Sequence, residues 1–106
     1  MKPAVIVVPW LKARGMAIFP FILVRDEGSK ADRVLINHEK IHLRQQLELF
    51  ILPFYLLYLL LYLVNLLRYM NHYQAYRQIR FEREAFDHED DLNYIQNRNF
   101  WAWMRA

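Results

Sequence analysis

Residues 49–67 read LFILPFYLLYLLLYLVNLL. The stretch carries no charged side chain, and Asn65 is its one amide. As a helix its nineteen residues would span roughly 28 Å, nearly the hydrocarbon core of a bilayer. Whether it crosses a membrane or folds back decides where everything on either side of it can lie. Tyrosines mark it at helical spacing: Tyr55, Tyr58, Tyr62, Tyr69, Tyr73 and Tyr76, with Asn65 filling the gap. Such spacing predicts one long helix from about 54 to 77. Tyrosine joins an apolar ring to a polar tip, so the stripe is expected on the wetter face, with leucines and Val64 covering the rest.

Upstream lies His38-Glu39-Lys40-Ile41-His42, an H-E-x-x-H motif. Leu35, His38, His42, Gln45 or Gln46, and Leu49 recur at helical spacing, predicting a helix from about 31 to 52. Ser29 or Asp32 can cap its start, and Pro53 ends or kinks it. Two histidines four apart share one helix face, so both imidazoles can reach one Zn2+. Glu39 beside them is placed as a general base for an ion-activated water. Two side chains hold zinc poorly, so a third ligand is needed. His72 and His88 remain, as do Glu82, Glu84, Asp87, Glu89, Asp90 and Asp91 on or after a third predicted helix, residues 81–96. Spacing alone does not choose among them.

A single crossing by residues 49–67 would put His38 and His42 on one side of a membrane and Glu82 on the other. A metal site shared by these residues and a single span exclude one another. Charge agrees: Arg25, Lys30, Arg33, Lys40 and Arg44 precede the segment, and Arg68, Arg77, Arg80 and Arg83 follow it. Such symmetry suits two flanks in one compartment. The expectation is a helix folded back at Pro53. Its surplus leucine face would be covered by the sheet, the aromatic tail, a second protomer in a homodimer, or a membrane surface.

The N-terminal part reads as strands. Ala4–Val8 is a β-branched run between Pro3 and Pro9, and Met16–Val24 is a second strand in which Pro20 demands a sheet edge or a bulge. The expected fold class is α+β: a small antiparallel sheet packed on three helices, in one domain of 106 residues. The 56% apolar content excludes a disordered chain. Two distant glycines exclude phosphate-binding glycine loops, and the absence of cysteine excludes disulfides and thiolate sites. A net charge of +3 without basic runs gives no case for a nucleic-acid partner. No signal-peptide pattern opens the chain, so the expected location is the cytoplasm or a membrane face turned toward it. The tail, with Phe100, Trp101 and Trp103, fits either core packing or a place in a substrate groove that would keep an enzyme latent.

HEKIH followed about forty residues later by Glu82-Arg83-Glu84-Ala85 resembles the gluzincin metallopeptidases. The likeness is to the CAAX-prenyl-protease and heat-shock-type membrane enzymes and to the soluble minigluzincins. It covers roughly residues 16–92. Those membrane enzymes carry H-E-x-x-H and then E-x-x-A-D, whose glutamate is the third zinc ligand. The resemblance therefore implies His38, His42 and Glu82 as ligands, Glu39 as catalytic base, and a peptide or protein substrate. The aspartate that supports a ligand histidine is replaced here by Phe86, with Asp87 one residue late. Minimal relatives use a histidine as third ligand, which keeps His88 open. The resemblance also implies that the Met16–Val24 strand binds substrate backbone along its edge. A second reading, drawn from the altered E-x-x-A-D pattern, is an inactive, membrane-associated or oligomeric module.

Overall fold

The computed structural model describes residues 3–106. The β-branched run after Pro3 forms β1 (Ala4–Val7), and the second expected strand is in fact two, β2 (Gly15–Ile18) and β3 (Phe21–Val24). Ile18 pairs with Phe21, so Phe19 and Pro20 are the two-residue turn of a hairpin. Pro20 has no N–H to give to a ladder, and the chain reverses there instead of bulging. The strand order is β1-β3-β2. β2 runs antiparallel to β3, whereas β1 runs parallel to it. The sheet is therefore mixed, not wholly antiparallel. The link from Val8 to Arg14 carries the chain past a strand-wide gap, and the hairpin then places β3 in that gap. The α+β class holds, with β2 as an edge strand and β3 in the centre.

Two aspartates start the helical part. Asp26 accepts from Ser29 N at 2.7 Å and opens α1 (Glu27–Lys30). Asp32 accepts from Val34 N and Leu35 N, both at 3.1 Å, and caps α2 (Arg33–Glu48). α2 ends before residue 52 because Phe50 and Ile51 take positive φ, 60° and 67°, and turn the chain. Pro53 sits in the first turn of α3 (Leu52–Tyr69), where a missing N–H costs no helical bond. The fold-back thus occurs just ahead of Pro53.

The helix expected over 54–77 is broken. Met70 takes φ 52° and closes α3, and Asn71 Oδ1 accepts from Gln74 N at 2.9 Å to cap α4 (His72–Arg77). α4 packs back on α3, where Asn65 Nδ2 donates to Ala75 O at 3.1 Å. The helix expected over 81–96 also divides, into α5 (Arg80–His88) and α6 (Tyr94–Asn97). Asn37 Nδ2 donates to the carbonyls of His88, Glu89 and Asp91, holding that backbone out of helical register. A 3-10 turn over Ala102–Arg105 follows.

α2 lies between two apolar clusters. Ala17, Ile22, Val24 and Leu43 pack it to the sheet, while Phe54, Ile79, Phe81 and Trp103 form a second core between α3, α5 and the tail. The stripe divides: Tyr55 and Tyr58 turn inward, contrary to the sequence reading, while Tyr69 and Tyr73 are exposed. Tyr55 OH donates to Ala17 O at 3.1 Å and Tyr58 OH to Glu82 at 2.7 Å, so the polar tips are used inside the protein. Leu57 and Leu61 pack on the second core, and the other face points out, with Leu56 64% and Leu67 79% exposed. α3 is long and apolar enough to cross a membrane by length and composition.

The tail does not enter a groove. Trp103 is 7% exposed against Phe81, with ring centroids 4.8 Å apart, while Phe100 is 77% exposed. Trp103→Ala is expected to lower unfolding free energy by about 3–5 kcal/mol through lost contacts and a cavity. Phe100→Ala should change it by about 0.5 kcal/mol or less. Urea titrations of both variants check this contrast.

Candidate metal centre

The spacing of four residues on α2 stacks His38 over His42, one turn apart, and both rings point at α5. Glu82, in the first turn of α5, meets them there. Its Oε1 lies 3.1 Å from His38 Nε2 and 2.9 Å from His42 Nε2, and the two Nε2 atoms are 3.2 Å apart. All three residues are buried, and together they could hold a metal ion. The other candidates lie elsewhere. Glu84 faces Gln45, Tyr94 and Arg98. The His88 ring stacks on Tyr94 at 4.0 Å. Glu89 approaches the opposite nitrogen of His38, as an outer partner and not as one of the three.

Both imidazoles are held from behind. His38 Nδ1 is 2.8 Å from Glu89 Oε1, and His42 Nδ1 is 2.8 Å from Gln45 Oε1. Gln45 is itself fixed, donating through Nε2 to Phe81 O at 3.0 Å and Glu84 Oε1 at 2.9 Å. An amide oxygen can only accept, so His42 donates from Nδ1, and Nε2 is the nitrogen that would give up its proton to a metal. The carboxylate behind His38 comes from Glu89, beyond α5, and not from position 86. Phe86 instead sets its ring edge-on to His38, with centroids 4.6 Å apart.

Behind Gln45 lies an ionic cluster. Arg98 donates through Nη1 and Nη2 to Glu48 at 2.7 and 2.9 Å, and also pairs with Glu84. Trp101 N donates to the same Glu48 carboxylate at 2.7 Å. The tail thus acts on the site from the rear, through Glu84 and Gln45.

A cavity of about 630 Å³ opens in front of the three donors. β2 supplies Met16 and Ile18, α3 supplies Tyr55 and Tyr58, and α4 supplies Tyr73 and Tyr76. Glu39 lines it too, and burial pushes its carboxyl up from the ordinary range despite the nearby histidines. Gly15 makes room for it: a Cβ there would stand 3.2 Å from both Glu39 Oε2 and Leu35 Cδ1. Burial alone would lower His42, but the charge and hydrogen bond of Glu82 outweigh it and push His42 up to about 9. Glu82 is held well below the usual carboxylate range: burial opposes this, but the charge of His42 and both histidine contacts overcome it.

His38, Glu39 and His42 were legible as a motif, and Glu82 through the resemblance. Glu89 stands among the candidate ligands in the sequence, and the structure makes it an outer partner of His38 instead, while Gln45 and Tyr58 do not stand among the candidates there. Gln45 stands one turn beyond His42, a spacing that hints at contact. Glu89 and Tyr58 reach the site only through tertiary packing. No protein-family model, curated protein or solved structure matches the chain.

Without metal, the His42–Glu82 pairing stabilises the fold most below pH 6.5, where the unfolded imidazole is protonated as well. That contribution should be lost as pH rises through about 9, the folded value. Urea titrations in chelator across this interval should show the decline in wild type and a flatter profile in His42→Gln.

Proposed function

We propose that this chain is a zinc-dependent hydrolase of peptide bonds. The observation that carries the reading is the convergence of His38 Nε2, His42 Nε2 and Glu82 Oε1, within 4.8 Å of one another, beside a buried Glu39. Two imidazole nitrogens and one carboxylate oxygen are a donor set zinc accepts with a fourth position open. The donor chemistry fits in a further respect. His42 has its Nδ1–H committed to Gln45, so the nitrogen facing Glu82 is the one available to a metal. The likeness of HEKIH and Glu82-x-x-Ala85 to the gluzincin motifs supports the same assignment. An accidental motif would give no reason for Glu82 to lie near both histidines.

When bound, zinc would supply a Lewis acid that acidifies water and polarises a carbonyl. His38, His42 and Glu82 would hold it, with Glu89 and Gln45 fixing the rings. Glu39 takes the proton of the attacking water and returns it to the leaving amine nitrogen as the C–N bond breaks. Its raised affinity for a proton suits both halves of that transfer. Tyr58 OH donates to Glu82 Oε2 and leaves Oε1 toward the histidines, orienting the carboxylate. β2 is an edge strand beside the cavity; Ala17 O on it is taken by Tyr55 and Gln46, and the remaining backbone groups of that edge would align an extended peptide.

Protein purified under zinc-replete conditions should carry about one zinc per chain by mass spectrometry. His42→Ala and Glu82→Ala should lose most of it. Glu39→Gln should keep the metal while hydrolysis of a mixed peptide library falls about 100-fold or more. A metal-free wild type, or activity untouched by Glu39→Gln, would overturn the proposal.

A further inference from the structure

We propose that the outward face of α3 is a membrane-binding surface, lying along an anionic lipid bilayer with its leucines in the acyl region. The inference stands on how the helix divides its side chains, and is independent of the metal site. Every hydrogen-bonding side chain in the body of α3 is engaged on the side away from the leucine strip: Tyr55 on Ala17 O, Tyr58 on Glu82, Tyr62 on the exposed His72 Nδ1 and Asn65 on Ala75 O. The opposite face is Leu56, Leu59, Leu60, Leu63, Val64 and Leu67, each about half exposed or more, with no polar atom among their side chains. Phe50 and Met70, 84% and 81% exposed, extend the strip past both ends of the helix. In water this arrangement is inverted, since the polar face is inside and the apolar face outside. Against hydrocarbon it is the favourable one.

Three observations choose lipid over a second copy. The strip follows one helix for 18 residues, roughly 27 Å. It holds fewer than the roughly three heptads expected of a coiled coil, and lacks the flanking charges that set pairing there. The charges present suit headgroups. No acid occurs from Leu49 to Leu67, and the nearest, Glu48, is turned inward on Arg98. At the far end exposed Arg68 lies 5.7 Å over the Tyr69 ring, a cation and an aromatic where an interface would anchor them. The helix lies along the bilayer because α4, packed on it, carries Arg77, and α5 beyond carries Arg80, Arg83 and Asp87. A crossing would take these charges into hydrocarbon.

The test is co-sedimentation of the full chain with phosphatidylcholine vesicles, with and without phosphatidylserine. Wild type should pellet with the vesicles, more strongly when phosphatidylserine is present. Leu60→Gln/Leu63→Gln should weaken vesicle binding about tenfold or more. Leu56→Gln/Leu67→Gln should do the same, so that a folding failure of one pair cannot carry the result. Both pairs lie at exposed positions and should keep the wild-type circular dichroism and urea midpoint. Glu82→Ala should bind vesicles like wild type, which separates this surface from the zinc reading. Failure of wild type to pellet with either vesicle would overturn the proposal. So would equal pelleting of the folded leucine variants. A wild-type dimer that the leucine substitutions convert to monomer, without vesicle binding, would assign the face to a second copy.

Discussion

α2 buries its polar side, and the neighbouring elements are placed by the need to satisfy it. Asn37, His38, Glu39, His42, Gln45 and Gln46 are all buried on this one helix. Each buried donor or acceptor left without a partner would cost about 1–3 kcal/mol. The partners come from every direction. Gln46 donates to Ala17 O and accepts from Phe19 N, tying the hairpin turn to the helix. Gln45 takes the start of α5 through Phe81 O and Glu84. Asn37 gathers the carbonyls after α5. A spine of amides thus sets the position of the sheet, the start of α5 with Glu82, and the Glu89 segment at once.

This explains the relation between fold and site. A donor cluster is useful only if its members are held to within a fraction of an ångström. His42 is held by Gln45, Gln45 by Glu84, and Glu84 by Arg98 and Tyr94. The chain of contacts ends in the Trp101–Trp103 tail, which therefore supports the site without entering the cavity. On the other side, Gly15 lets β2 close against Glu39 where any side chain would crowd it. Site and core share so many contacts that α2 serves both.

Periodicity in the sequence revealed α2 and the HEKIH face, and the return of residues 49–67 followed from the symmetric charge on its flanks and the need for His38, His42 and Glu82 to lie on one side. Periodicity failed where a local signal interrupted a regular pattern. The tyrosines run at helical spacing through Met70 and Asn71, so the break there is masked. Only the Asn71 cap signals a new helix start. Pro20 was given an edge or a bulge when a turn was its third option. Tyr55 and Tyr58 were assigned the wrong way round because hydropathy ranks residues by their preference for water. Here the hydroxyls of Tyr55 and Tyr58 find Ala17 O and Glu82 inside the protein. Gln45 and Gln46 fall in register with the histidines, but what they hold could not be read, since their acceptors lie about thirty to forty positions away.

The Arg98 cluster has a consequence for the distribution of charge. Glu39, Glu48, Glu82, Glu84 and Glu89 lie in or behind the site, and Arg98 is the one guanidinium among them. Counted formally with neutral histidines, five carboxylates against one guanidinium give this region minus four of a chain total of +3, and the proton that His42 holds up to about 9 offsets one of them. Everything outside it must then sum to plus seven. The modest total conceals an acidic kernel wrapped in a strongly basic shell. Its centre attracts cations while its exterior attracts anions, and the same molecule offers opposite signs to a small ion and to a large surface.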